Sequence, residues 1–228
     1  TSWRVGESIR SIDNGICRRL SSRAANHLVA NLPSSAAKFV SRSGFIGVTA
    51  HILIAGAGIG GLGAALALSQ IGKNVDMKVT VLEQSSIFGE VGAGVQISPN
   101  AYKVLCDWGL TEALKQTANF PERLQVRSTA SGKLLGQFEM GEKAQTRYGF
   151  PFSTWHRADL HTLLLNAVRQ QPNVELHLNA KIDNIVEEHQ RVTVFTEAGG
   201  KFTADALIGA DGLWSRVRQL TVNDAAPL

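Results

Sequence analysis

Three features of this 228-residue chain predict an α/β fold built on a parallel, Rossmann-like sheet. An apolar run at 52–55 passes through a glycine-rich turn into an alanine-rich helix. A second apolar strand at 79–82 follows and ends in an acid. A late short strand at 206–208 runs into another glycine-bounded turn. Strands that alternate with helices point to a parallel sheet, because each crossover between parallel neighbours needs a helix-sized connection.

The first turn fits G-x-G-x-x-G at Gly56, Gly58 and Gly61. The first glycine permits the tight turn, the second lets backbone approach a pyrophosphate, and the third lets the helix pack closely on the strand. The helix, expected over 59–71, then presents unpaired N–H groups and the positive end of its dipole to an anion. Ala65, four residues past Gly61, keeps this helix thin against the sheet. Gly72 and a short polar link lead to the second strand, which delivers Glu83. That carboxylate stands 22 residues beyond Gly61, close to the roughly 20 expected of an acid that binds ribose hydroxyls. Glycine triplets also occur at plain strand-to-helix turns; the strand, helix, second strand and acid together make a dinucleotide site the reading here.

Beyond Glu83, the glycines and Pro99 of residues 89–100 predict a long irregular loop. A helix is expected over 101–108, ended by Gly109. Alternating residues at 124–128 and 134–138 flank Ser131-Gly132 and predict a hairpin outside the nucleotide sheet. A helix over 157–170 sets Leu160, Leu163, Leu164, Ala167 and Val168 on one face. Strands at 174–178 and 181–187 precede a hairpin through Ala198-Gly199-Gly200, and the strand 206–208 then delivers Gly209-Ala210-Asp211-Gly212.

Composition narrows the function classes. With 44% hydrophobic residues the chain can build a core, and no run approaches the roughly 18 apolar residues of a membrane span. Two cysteines, Cys17 and Cys106, are too few and too far apart for a disulfide scaffold or a metal cluster, so no metal is expected; Cys106 reads as a small buried hydrophobe. Residues 1–50 carry seven basic side chains against Glu7 and Asp13, so the basic balance belongs to this segment. Residues 1–47 are expected to be a disordered basic leader, and 48–228 the folded domain. The leader is Ser-, Ala- and Arg-rich like a transit peptide, which leaves a mitochondrial location open beside a cytoplasmic one. Nothing in it interleaves aromatic with basic residues as a nucleic-acid surface would.

Four ordered blocks, GAGIGG at 56–61, LEQSSIFGEVGAGVQISPNA at 82–101, HRADLH at 156–161 and ALIGADGLWSRVR at 206–218, resemble the single-component FAD-dependent aromatic hydroxylases. These are the class A flavoprotein monooxygenases of the p-hydroxybenzoate hydroxylase fold, and the wording is most similar to the 3-hydroxybenzoate 6-hydroxylase and salicylate hydroxylase branch. The resemblance covers about residues 50–220. It implies a glutathione-reductase-type FAD-binding domain with an inserted β-rich substrate layer, incomplete at the C-terminus. The family's second FAD segment of Gly-Asp type and most of its substrate layer lie further along, so an N-terminal fragment, inactive alone, is expected. The link at 74–77 is also a few residues longer than the family's.

Carried over by residue, the resemblance assigns Gly56, Gly58 and Gly61 to the FAD pyrophosphate and Glu83 to the adenosine ribose. It sets Val95 and Gln96 along the flavin side, and has Arg157 contact FAD, for which a guanidinium at a helix start is well suited. Asp211 matches an aspartate that supports FAD and nicotinamide binding, although Gly-Ala-Asp-Gly is also a common structural turn. Arg216 and Arg218 are either a phosphate anchor or surface charge. Arg147 and Tyr148 either approach a substrate carboxylate or sit on a hairpin surface. His156 and His161 are given packing or capping roles.

The catalytic residues are expected beyond Leu228. For the intact enzyme the resemblance implies FAD as cofactor, NADH or NADPH and O2 as cosubstrates, and an aromatic acid as substrate; a homodimer is left open. Two other readings use the same nucleotide motifs: an FAD-linked epoxidase or reductase, and a non-catalytic truncated FAD-binding piece.

Overall fold

The computed structural model describes residues 50–72, 76–89 and 93–222. The leader, the start of the domain at 48, residues 74 and 75 of the 74–77 link and part of the 89–100 loop lie outside the described residues. Strand β1 (Ala50–Ala55) enters the glycine turn, helix α1 (Ile59–Gly72) leaves it, and β2 (Met77–Leu82) returns parallel to β1. Strands β3 (Gly94–Ile97), β4 (Arg123–Arg127), β5 (Leu134–Glu139) and β6 (Ser153–His156) are interspersed with helices α2 (Pro99–Asp107), α3 (Thr111–Thr117) and α4 (Glu142–Tyr148). Helix α5 (Arg157–Arg169) leads to β7 (Val174–His177), an antiparallel run β8 (Ile182–Glu188), β9 (Arg191–Thr196) and β10 (Lys201–Ala204), then β11 (Ala206–Gly209) and α6 (Arg216–Val222).

The central sheet runs β11-β1-β2-β7, with every neighbour parallel. Both of its faces are covered, which is why β1 and β2 read as near-continuous apolar runs instead of alternating ones. Leu53, Ile54, Val79 and Val81 are fully buried. On one face α1 packs against β2 and α5, and small residues let it approach: Ala65 is fully buried, beside Leu62 and Leu66. On the other face Leu53, Ala55 and Leu82 join Ile182, Val192, Val194 and Ala204 of the three-stranded β10-β9-β8 sheet, with Val217 of α6. The chain thus forms a helix layer, a parallel sheet and an antiparallel sheet, and the carboxyl ends of β1, β2 and β11 open on one edge, where α/β sheets bind ligands.

Several elements differ from the sequence expectation. Residues 94–97, expected as irregular loop, form β3, which pairs antiparallel with β6 (Val95 with Trp155, Gln96 with Thr154). Two four-residue strands carry too little alternation to be read locally, and each exists because the other supplies its hydrogen bonds. Helices α3 and α4 were also unexpected; each is seven residues long and close to the limit of what periodicity reveals. Arg147 and Tyr148 therefore sit in α4, both exposed, and not on the hairpin β4–β5. On α5 the buried face is Leu160, His161, Leu164, Leu165 and Val168, while Leu163 and Ala167 are half-buried. The buried face is rotated from the expected one, with His161 turned inward to a polar partner.

Candidate FAD-binding site

The glycine turn takes its shape from two contacts that no side chain could share. Gly56 has φ +95°, and a Cβ there would lie 2.5 Å from the Ala210 carbonyl oxygen. A Cβ on Gly61 would lie 1.9 Å from the Gly56 carbonyl oxygen. The first and third glycines thus let β1, α1 and the β11 turn converge at one point. Gly56 N–H donates to Leu82 O at 2.7 Å and Ala210 N–H to Ala55 O at 2.8 Å, so the ends of three strands are stitched together under the turn.

Glu83 follows β2 with its backbone tied to His177 O and Ala180 N–H. Its carboxylate accepts the Ala57 N–H at 2.8 Å and the Ser85 N–H at 2.9 Å, one on each oxygen. Partial burial pushes this carboxyl up, but the backbone donors Ala57 and Ser85 outweigh it and hold Glu83 below the usual carboxylate range. Each oxygen keeps acceptor capacity for a ligand hydroxyl.

Two adjoining cavities meet here. The larger, about 620 Å³, is lined by Gly56, Glu83, Ala180, Ile182 and Asp211 among others, with Leu213 and Trp214 at 66% and 65% exposure on its rim. The smaller, about 350 Å³, is lined by Ala57, Ser85, Phe88 and His161. Gly58, Glu83 and Arg157 line both, so the glycine turn, the strand-end acid and an arginine stand at the junction. That donor set suits an elongated ligand with phosphate in its middle and a hydroxylated sugar nearby.

The expected site residues divide. Gly56, Gly58, Glu83, Arg157 and Asp211 are brought to the larger cavity, and Gly61 braces the turn. Val95 and Gln96 lie on β3 and line neither cavity; Arg157, at the end of the β6 partner strand, donates its N–H to Ala93 O at 2.8 Å and links the two regions. Asp211 has both oxygens engaged: Oδ1 accepts the Ser215 hydroxyl at 2.6 Å and Oδ2 the Val217 N–H at 3.0 Å. Ser215 Oγ in turn accepts the Arg218 N–H at 3.0 Å. Asp211 thus lines the larger cavity and also holds the start of α6. Arg216 lines the cavity with its guanidinium 3.1 Å from Asp183 O, whereas Arg218 turns back to Leu213 O at 3.1 Å. Asp211→Ala should lower the stability of the fold by about 1–2 kcal/mol through loss of this helix start, read as a drop in melting temperature that Asp211→Asn partly restores.

His161 was not legible as a site residue. It is 4% exposed, and its Nε2 donates to the Ala57 carbonyl at 2.8 Å; a carbonyl only accepts, so that nitrogen carries the proton. The available signal was its position four residues after Arg157, one turn further along the same side of α5.

A parallel sheet with a glycine turn, a strand-end carboxylate and paired cavities at its carboxyl edge defines a dinucleotide-binding domain. The family comparison makes this specific: the FAD binding domain family matches residues 49–223, and the chain belongs to that family. The chain is 38% identical over 177 residues to 3-hydroxybenzoate 6-hydroxylase 1 of Aquipseudomonas alcaligenes, covering 78% of the chain and 44% of that relative. Among solved structures it resembles p-nitrophenol 4-monooxygenase PnpA from Pseudomonas putida DLL-E4 (TM-score 0.65, 26% identity), covering 75% of the chain and 43% of PnpA. It also resembles Klebsiella pneumoniae HpxO complexed with FAD and uric acid (TM-score 0.61, 29% identity), covering 75% of the chain and 41% of HpxO. The chain therefore spans less than half the length of each of these relatives.

Proposed function

We propose that this chain is the FAD-binding part of an NAD(P)H-dependent monooxygenase that hydroxylates an aromatic acid of the hydroxybenzoate or salicylate type. The observation that carries this reading is the 38% identity with 3-hydroxybenzoate 6-hydroxylase 1, which spans the whole glycine-turn region. In the overall reaction a ring C–H becomes C–OH, O2 supplies that oxygen and leaves its other atom in water, and NAD(P)H with a proton supplies the two electrons. When bound, FAD supplies the redox and oxygen-activating chemistry.

The residues of this chain bind and orient. Gly56, Gly58 and Gly61 admit the pyrophosphate to the turn and the start of α1, Glu83 accepts from ribose hydroxyls, and Arg157 offers a planar guanidinium to the phosphate region. Asp211 holds the β11 turn and the α6 start beside the cofactor, and Val95 and Gln96 extend the site toward the flavin along β3. All of these groups lie beyond the basic segment 1–47, so removing residues 1–45 should leave FAD affinity unchanged. Among the described residues no helix is long and apolar enough to cross a membrane.

The test is made on the full-length protein with FAD, NADH or NADPH, and a panel containing 3-hydroxybenzoate and salicylate. The expected result is a dihydroxylated product formed in proportion to nicotinamide oxidised. Turnover of alkenes with no aromatic acid hydroxylated would instead favour an epoxidase on the same fold.

A further inference from the structure

A phosphate-binding turn must present N–H groups and turn its carbonyl oxygens away, because a carbonyl facing a phosphate opposes like partial charges. Each carbonyl of residues 56–58 has a place. The Gly58 carbonyl accepts the Leu62 N–H at 2.9 Å, at the start of α1. The Gly56 carbonyl lies against Gly61, where a Cβ would stand 1.9 Å away. The Ala57 carbonyl is the exposed risk, since neither the helix nor the sheet engages it. It is taken by His161 Nε2 at 2.8 Å, from a residue 104 positions away that is buried on α5.

The two sides of Ala57 are therefore held by different elements: its N–H by Glu83 at the end of β2, and its carbonyl by His161. A trans peptide directs its N–H opposite to its C=O, so fixing the Ala57 oxygen on α5 aims the Gly58 N–H away from α5. Gly58 is also the turn residue that lines both cavities. We propose that His161 is a positioning residue of the cofactor site: its imidazole pins the Ala57 carbonyl and so keeps the Gly58 N–H directed at the cofactor phosphate. The inference rests on the FAD reading above. It assigns to the second histidine of HRADLH a task directed at phosphate, distinct from packing α5 on the sheet.

The experiment measures affinity of the chain for FAD, ADP and adenosine in the wild type, His161→Phe and His161→Gln, with circular dichroism to verify folding. Phe keeps a ring without the donor, and Gln restores an N–H. In His161→Phe, FAD and ADP should weaken about tenfold, the scale of one lost hydrogen bond to a buried acceptor, while adenosine affinity stays unchanged. His161→Gln should lie within about threefold of wild type for all three ligands, since its amide restores the donor. Equal losses for ADP and adenosine in His161→Phe would reduce the histidine to a packing role and overturn the proposal, as would FAD affinity unchanged from wild type. If His161→Phe does not fold, His161→Gln decides: FAD affinity near wild type supports the proposal and a larger loss overturns it. Wild-type protein that binds neither FAD nor ADP would instead overturn the cofactor reading, and this inference with it.

Discussion

Gly61→Ala is expected to abolish FAD binding, while Gly60→Ala, one residue earlier, leaves it intact. A Cβ on Gly61 would stand 1.9 Å from the Gly56 carbonyl oxygen, a backbone atom that cannot rotate away. The turn must open or α1 must withdraw from the sheet, and overpacking of this kind costs about 1–3 kcal/mol or more. A Cβ on Gly60 meets nothing within 4 Å, and replacing glycine in a helix removes a conformational cost of roughly 0.5–1 kcal/mol. Gly60→Ala should therefore melt at or slightly above the wild-type temperature. Paired melting curves and FAD titrations separate the two; equal behaviour of both variants would show that the close approach at Gly61 does not shape the site.

Glu83→Ala is expected to weaken FAD by about 1.5–3 kcal/mol, the range for hydrogen bonds to a charged group. The loss has two sources: the ribose acceptor, and the anchor that now holds the Ala57 N–H at 2.8 Å. Glu83→Gln should recover little, because an amide cannot match a carboxylate that accepts on both oxygens. The pH dependence follows from the same contacts. Burial raises the Glu83 carboxyl, the N–H groups of Ala57 and Ser85 lower it further, and its folded value ends below the ordinary one. A depressed carboxyl contributes stability that is fully present above its unfolded value near 4.3 and is lost as pH falls through the lower folded value. FAD affinity should thus be flat with respect to this group from neutrality down through the ordinary carboxylate range, and fall only as pH drops through the lower folded value. In Glu83→Gln that acid limb should disappear; an unchanged acid limb would assign it to another group.

The parts of the site legible in the sequence are those set by local spacing. Gly56, Gly61 and Glu83 sit on a strand, turn, helix and second strand whose order fixes their positions, and the structure gives each glycine the close approach its place in the motif demands. Hairpins β4–β5 and β9–β10 were legible because their turn residues and alternation are contiguous. The strands β3 and β6 were not, since each is four residues long and its partner lies far along the chain; pairing, not propensity, makes them strands. His161 escaped for the same reason. A histidine on an otherwise apolar helix face looks like packing until the fold brings Ala57 to it. Asp211 was legible as a turn residue, while its two bonds to the start of α6 required knowing that a helix begins at Arg216.

The central claim is that the glycine turn, Glu83 and Arg157 hold the dinucleotide part of FAD, and comparing FAD with FMN tests it most directly. FMN carries the flavin and one phosphate but lacks the adenosine half that Glu83 and the larger cavity would hold. Titrating the purified chain with each flavin, followed by flavin fluorescence at physiological ionic strength, should give saturable one-to-one binding of FAD and at least about tenfold weaker binding of FMN, the effect of losing one or more ribose hydrogen bonds. Equal affinity for the two flavins, or no saturable FAD binding, would contradict the account.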